Sequence, residues 1–156
     1  IRSYIGQEKN LVKELFDCFF SNETKVSQRA AMVISAVFDH DQHLVLPYNE
    51  ALIANLLNNS QHVAIKRNTI RILQFIELPE SQTSAVFNHC LENIISVKEP
   101  IAVKAFSMNV LLKICKTYPE LKQEVSPILE LELERNESAG VLNRGKRVLK
   151  KLNQLN

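Results

Sequence analysis

The sequence predicts an all-α chain of eight helices in four pairs, stacked as an α-α superhelix, and three observations carry that prediction. Apolar residues recur at i, i+3, i+4 and i+7, with no strand-like alternation. A segment pattern returns four times at a nearly constant spacing. Only three glycines and five prolines occur among 156 residues, too few for a turn-rich all-β fold or a phosphate-cradling glycine loop.

The repeat is seen in Val26-Ser-Gln-Arg29, Val63-Ala-Ile-Lys66, Ile101-Ala-Val-Lys104 and Ala139-Gly-Val-Leu142, whose starts are evenly spaced to within one position. The fourth segment also admits a register one position earlier, which suits Leu142, Gly145, Leu149 and Leu152 better. Each segment opens the second helix of a pair, as Ala105, Met108, Leu112 and Cys115 illustrate for the third. The first helices are marked by Leu11, Leu15, Cys18 and Phe19 at about 7–20, and by Leu52, Ile53, Leu56 and Leu57 at about 47–59. Val86, Cys90, Ile94 and Ile95 mark a third at about 80–96; Ile128, Leu129, Leu131 and Leu133 mark a fourth at about 120–135. Pro47, Pro79 and Pro119 fall near helix starts, where a missing N–H does no harm, and Asn22, Asn58-Asn59-Ser60 and Glu99-Pro100 punctuate the turns.

One domain over 1–156 is expected, with repeats at about 7–39, 47–77, 80–117 and 120–154, since roughly 150 residues make one domain. A helix pair of this size cannot bury its apolar face alone, so the pairs must stack. Ile1 to Ile5, closed by Gly6, fit the end of a preceding helix with a glycine cap, as in a longer solenoid. Apolar residues at 46% and charged residues at 23% are ordinary globular values and exclude a disordered chain. A net charge of +2 does not by itself announce a nucleic acid or membrane partner.

Cys18, Cys90 and Cys115 are odd in number, widely spaced and set in apolar helical patterns, so they read as reduced core thiols. No apolar run approaches a membrane span, and no basic-then-apolar leader follows Ile1. A cytoplasmic location of bacterial type and a monomer are the default expectations.

The segments Val26-x-x-Arg29-Ala-Ala, Val63-x-Ile-Lys66 and Ile101-x-Val-Lys104-Ala resemble the HEAT repeat, whose second helix opens with Val-x-Val-Arg after an Asp-rich turn. Glu23 and Glu99 stand where turn acids would; the second turn has only Gln61 and His62. The likeness covers nearly the whole chain and implies a right-handed solenoid. Val63 to Phe75, Ile101 to Phe106, Lys116 to Lys122, and Ser138 through Leu152 are further similar to a family of small bacterial HEAT-like proteins. Some of those carry the name adenylosuccinate lyase. That lyase is several times longer, builds its site across subunits and has a mobile Ser-rich loop with Met-Pro and Lys-x-Asn, none of which is present.

Arg29, Lys66 and Lys104 share one repeat position and would form a cationic ladder. The resemblance gives it a structural task, pairing with turn acids in exposed bonds of about 0–1 kcal/mol each. Arg67, Asn68, Arg71 and Phe75 fall on the arc opposite Ile65, Thr69 and Ile72. Phe106, Asn109 and Lys113 are their equivalents in the third repeat, and Arg144, Arg147 and Lys151 in the fourth. In the first repeat the places hold Ala30, Ala31 and Ile34. In a HEAT-like solenoid these helices line the concave wall, which would be basic and partly aromatic except at its first, apolar repeat. Residues 142–156 hold five basic side chains and no acid; Glu130, Glu132, Glu134 and Glu137 precede them, placed to neutralise part of that charge.

His40-Asp41-Gln42-His43 with Asp39 resembles a metal site, but it lies where a helix hands over to a loop and has no third ligand near, so a polar linker is expected. His62 and His89 read as cap or surface residues. No nucleophile-base order, Walker loop or dinucleotide fingerprint is present, and His89 and Cys90 point about 100° apart on one helix. No catalytic residue, metal or cofactor is therefore expected. The leading expectation is an interaction module whose basic groove takes an acidic protein segment. The alternative is nucleic-acid binding in the manner of HEAT-like DNA glycosylases, weakened by the lack of Trp and of a groove acid.

Overall fold

A computed structural model describes residues 9–58, 62–136 and 138–155. Among the described residues it contains eight α-helices and no strand. The chain divides into two compact units, Ile1–Glu77 and Leu78–Asn156. Ile1 to Gly6, with the expected helix end and cap, lies outside the described residues.

Unit 1 holds α1 (Lys9–Phe19), α2 (Thr24–His40), α3 (Asn49–Leu57) and α4 (Val63–Leu73). Helix α2 packs against both α1 and α4, and α3 packs against α4. Phe16, Ile34, Leu52, Ile53, Leu56, Ile70 and Leu73 fill the core. The Phe16 ring stacks on Tyr48 with centroids 3.8 Å apart, which ties α1 to the segment entering α3. That segment is two 3-10 turns, Gln42–Leu44 and Leu46–Tyr48, so the helix begins later than Pro47 suggests. Local caps explain the boundaries. Asp41 accepts from the His43 backbone N–H at 3.0 Å, as a linker residue should, and His62 Nδ1 accepts from Ala64 N–H at 3.1 Å as the N-cap of α4.

Unit 2 holds α5 (Glu80–Ile95), α6 (Ile101–Thr117), α7 (Lys122–Arg135) and α8 (Ala139–Leu152), with a 3-10 turn at Pro119–Leu121. Helices α5 and α7 form one layer, α6 and α8 the other, and each pair also packs across the layers. Val86, Ile94, Met108, Leu111, Val125, Leu129 and Val141 make the core. Pro127 lies inside α7 at an exposed position, where water can take the carbonyl that the ring leaves without a donor. Gly145 is buried on α8, and a Cβ there would come within 2.7 Å of Leu133 Cδ2 on α7. The missing side chain thus lets the two helices of the fourth repeat approach closely.

Two sequence expectations are corrected by burial. Cys90 and Cys115 are core thiols, but Cys18 is exposed, because α1 turns Val12, Phe16 and Phe19 inward instead. On α7 the buried stripe is Val125, Leu129 and Glu132, not the alternating leucines: Leu131 is 56% exposed, while Ile128 and Leu133 are half-buried. A carboxylate holds the third place of an i, i+4, i+7 apolar stripe.

Candidate functional site

The three ladder positions occupy three different environments: Arg29 exposed, Lys66 half-buried, Lys104 buried. Lys104 does not pair with a turn acid at the surface. Its ammonium donates to Glu132 Oε1 on α7, and to the Ile94 carbonyl at 2.9 Å in the last turn of α5. Arg135 Nε donates to Glu132 Oε2 at 2.7 Å, and Arg135 Nη2 to the Ile95 carbonyl at 2.6 Å. Asn136 Nδ2 completes the set with a 2.8 Å bond to Glu132 Oε1. Two cations thereby close the carbonyl end of α5, where the helix dipole favours positive charge. Burial pushes the Glu132 carboxyl up, but the donors Lys104, Arg135 and Asn136 together outweigh it and hold the group below its ordinary value. A groove of about 490 Å³ opens above this network, rimmed by Val97, Ile101 and Val141. Lys104 and Glu132 bind each other there.

In unit 1 the expected wall residues part company. Ala30, Ala31 and Ile34 are core residues, not an apolar stretch of surface, because α2 is covered by helices on two sides. Asn68 is also buried and returns its amide to the Ala64 carbonyl at 2.8 Å. Arg71 is engaged within the unit: Nη2 reaches both Asp39 oxygens at 2.8 Å and Nη1 donates to Ser35 Oγ at 2.6 Å. The sequence reading missed the acid beside Arg71, although Ser35 and Asp39 precede Arg71 by 36 and 32 residues, close to one repeat. The two side chains are 30% and 48% exposed, so this pair contributes roughly 0–1 kcal/mol. Arg67 is exposed, and Phe75 is 64% exposed with its ring 6.2 Å from that of Phe38.

Unit 2 carries its six expected residues on α6 and α8. Phe106, Asn109 and Lys113 are half-buried and form the outward stripe of α6, between the buried Val103, Ser107, Val110 and Ile114. Each stands one repeat before its equivalent on α8, Arg144, Arg147 or Lys151. Helices α6 and α8 pack together, so the two stripes belong to neighbouring elements of one layer. Arg144 is half-buried, whereas Arg147 and Lys151 are exposed. Among the described residues the α7 acids expected to offset the α8 bases do not make direct ion pairs with them. Glu132 turns to Lys104 on α6, and no ion pair joins α7 acids to α8 bases, since Glu130 and Glu134 lie on the solvent side of α7. Glu137 lies outside the described residues.

Burial pushes the Cys90 thiol up to about 12, only partly opposed by a hydrogen bond to Ser107 and by Lys113. Burial, then Glu120 and Glu124, push Cys115 up to about 11. Thiols so protonated are poor nucleophiles. Among the described residues no group of three or more His, Cys, Asp or Glu side chains is arranged to hold a metal ion. No described helix is long and apolar enough to cross a membrane.

Comparison with curated proteins finds no match, and comparison with solved structures finds none either. The model of the HEAT repeat domain family matches residues 1–152. With paired helices throughout, a segment pattern that returns in all four pairs and a family match over nearly the whole length, this chain belongs to the HEAT repeat domain family.

Proposed function

We propose that this chain is a non-catalytic interaction module that binds an acidic protein or peptide segment on the basic layer of unit 2. One observation carries the reading: every charged side chain on α6 and α8 is basic, with Lys116 exposed on α6, Lys146, Arg147, Lys150 and Lys151 exposed on α8, and Phe106 half-buried on the same layer. A field of one sign over an extended face attracts and orients a partner of the opposite sign. Membership of the HEAT repeat domain family supports an interaction role. Phe106 and the aliphatic stems of Lys113 and Arg144 offer apolar contact between the charges. Arg67 and Phe75 of unit 1 are exposed wall residues outside the buried set, and they form a lesser candidate surface.

The test is a titration of the full chain with a fluorescein-labelled peptide rich in Asp and Glu and bearing one aromatic residue. Arg147→Glu/Lys151→Glu is expected to weaken binding roughly tenfold or more, with helicity unchanged. Binding unaffected by the reversal would reject this face. A duplex DNA of similar length is titrated in parallel against salt; tight, salt-steep DNA binding with no peptide binding would turn the reading to nucleic acid.

A further inference from the structure

Unit 2 sorts its charges by layer. On α5 and α7 the exposed acids are Glu80, Glu92, Glu124, Glu130 and Glu134. Two cations sit on that layer, and both are engaged internally: Lys122 donates to the Leu155 carbonyl, and Arg135 is held by Glu132 and the end of α5. Helices α6 and α8 carry no acid at all, and expose Lys116, Lys146, Arg147, Lys150 and Lys151. A surface shaped only for solubility would intersperse the signs. Here opposite potentials face away from each other across one two-layer unit. The acidic layer also exposes Ile95 and Leu131, apolar side chains that a purely solvated face does not need.

We propose that the α5/α7 face of one copy docks on the α6/α8 face of a second copy of this chain. The occupant follows from charge complementarity: the surface that matches each face is carried by the same molecule. The contact is heterologous, since different patches meet, so it extends head to tail rather than closing as a two-fold dimer. Being largely ionic and exposed, it is weak and strongly salt-sensitive. Where the basic layer also takes an acidic partner, the second copy competes with that partner; this competition alone rests on the reading above.

Sedimentation velocity of the full chain over a range of concentrations tests the proposal. The average mass is expected to rise with concentration at about 0.02 M salt and to fall back to the monomer at about 0.5 M, where screening is nearly complete. Glu130→Lys/Glu134→Lys leaves the first layer three exposed acids against two bases, and Arg147→Glu/Lys151→Glu leaves the second three exposed bases against two acids, so each variant nearly cancels the exposed charge of one layer and keeps the other intact. Each variant alone is expected to remain monomeric at low salt, and an equimolar mixture of the two to associate again. All four side chains are exposed, and circular dichroism verifies that each variant is folded. A wild-type monomer at low salt up to about 1 mM, association indifferent to the reversals, or a mixture that fails to associate would each overturn the proposal. The Glu130→Lys/Glu134→Lys variant keeps the basic layer, so its binding of the acidic peptide reports on that reading separately.

Discussion

Lys104 of the third repeat and Glu132 of the fourth form an ion pair inside unit 2, with side chains only 5% and 1% exposed. Removing Lys104 leaves Glu132 charged and buried with one of its two cations gone. Lys104→Met is expected to cost about 3 kcal/mol, at the low end of the range of about 3–5 kcal/mol for a broken buried pair, because Arg135 still holds Glu132. Urea unfolding checks this: the midpoint should drop while the slope stays constant. A loss below about 0.5 kcal/mol would mean the pair is effectively solvated.

The pair also sets an acid limit. Glu132 is held below its ordinary carboxyl value in the folded state, so the unfolded chain binds the proton more readily. Its contribution to stability is complete above the ordinary value and is lost as the pH falls through the depressed one. Unfolding free energy measured downward from pH 7 should therefore decline below about pH 4.5. In Glu132→Gln the decline should be shallower over the same window. Equal slopes would remove Glu132 from the acid response.

Gly145 sets a packing limit. Alanine there gains about 1 kcal/mol of helix propensity, but its methyl would meet Leu133, with Cγ at 3.3 Å as well as Cδ2 at 2.7 Å. Overpacking of that kind costs about 1–3 kcal/mol. Gly145→Ala is expected to destabilise by roughly 1 kcal/mol in the native background, yet to stabilise in a Leu133→Ala background, where the obstruction is gone. The sign change in a double-mutant cycle is the measurement. The same sign in both backgrounds would show that Leu133 is not what excludes the methyl.

The three cysteines should separate in one thiol titration. Cys18 is exposed, whereas Cys90 and Cys115 are buried and pushed up to about 12 and about 11. An aromatic disulfide reagent at pH 8 should release one equivalent quickly, and the other two only as fast as the unit opens. Two fast thiols in the wild type, or one fast thiol persisting in Cys18→Ser, would contradict this assignment.

Periodicity made the helices legible, and the repeat made their pairing legible, because a return at nearly constant spacing forces equivalent helices into one layer. Which face each helix buries was less legible on α7. There Leu129, Leu131 and Leu133 drew attention to themselves, while the true stripe ran through Glu132. A charged residue at an apolar place is a signal of a buried partner, and Lys104 lies at a position the repeat alone makes look superficial. Along α6 and α8 the residues expected on the wall, Phe106, Asn109 and Lys113 and their equivalents Arg144, Arg147 and Lys151, all stay outside the buried set. On α4 the same reasoning failed for Asn68 and Arg71. Equal repeat position does not guarantee equal exposure where α2, with a Ser35 and an Asp39 to offer, covers the helix.

The cations that close the carbonyl end of α5 come from later in the chain, Lys104 from α6 and Arg135 from α7. A chain ending at Thr117 would lack α7, and with it the Glu132 counterion that Lys104 has in the folded unit. The third repeat therefore has no finished state of its own, and the first complete electrostatic inventory arrives only when Asn136 has been synthesised. In this protein the repeat is the period of the sequence, while the smallest self-sufficient block is a pair of repeats.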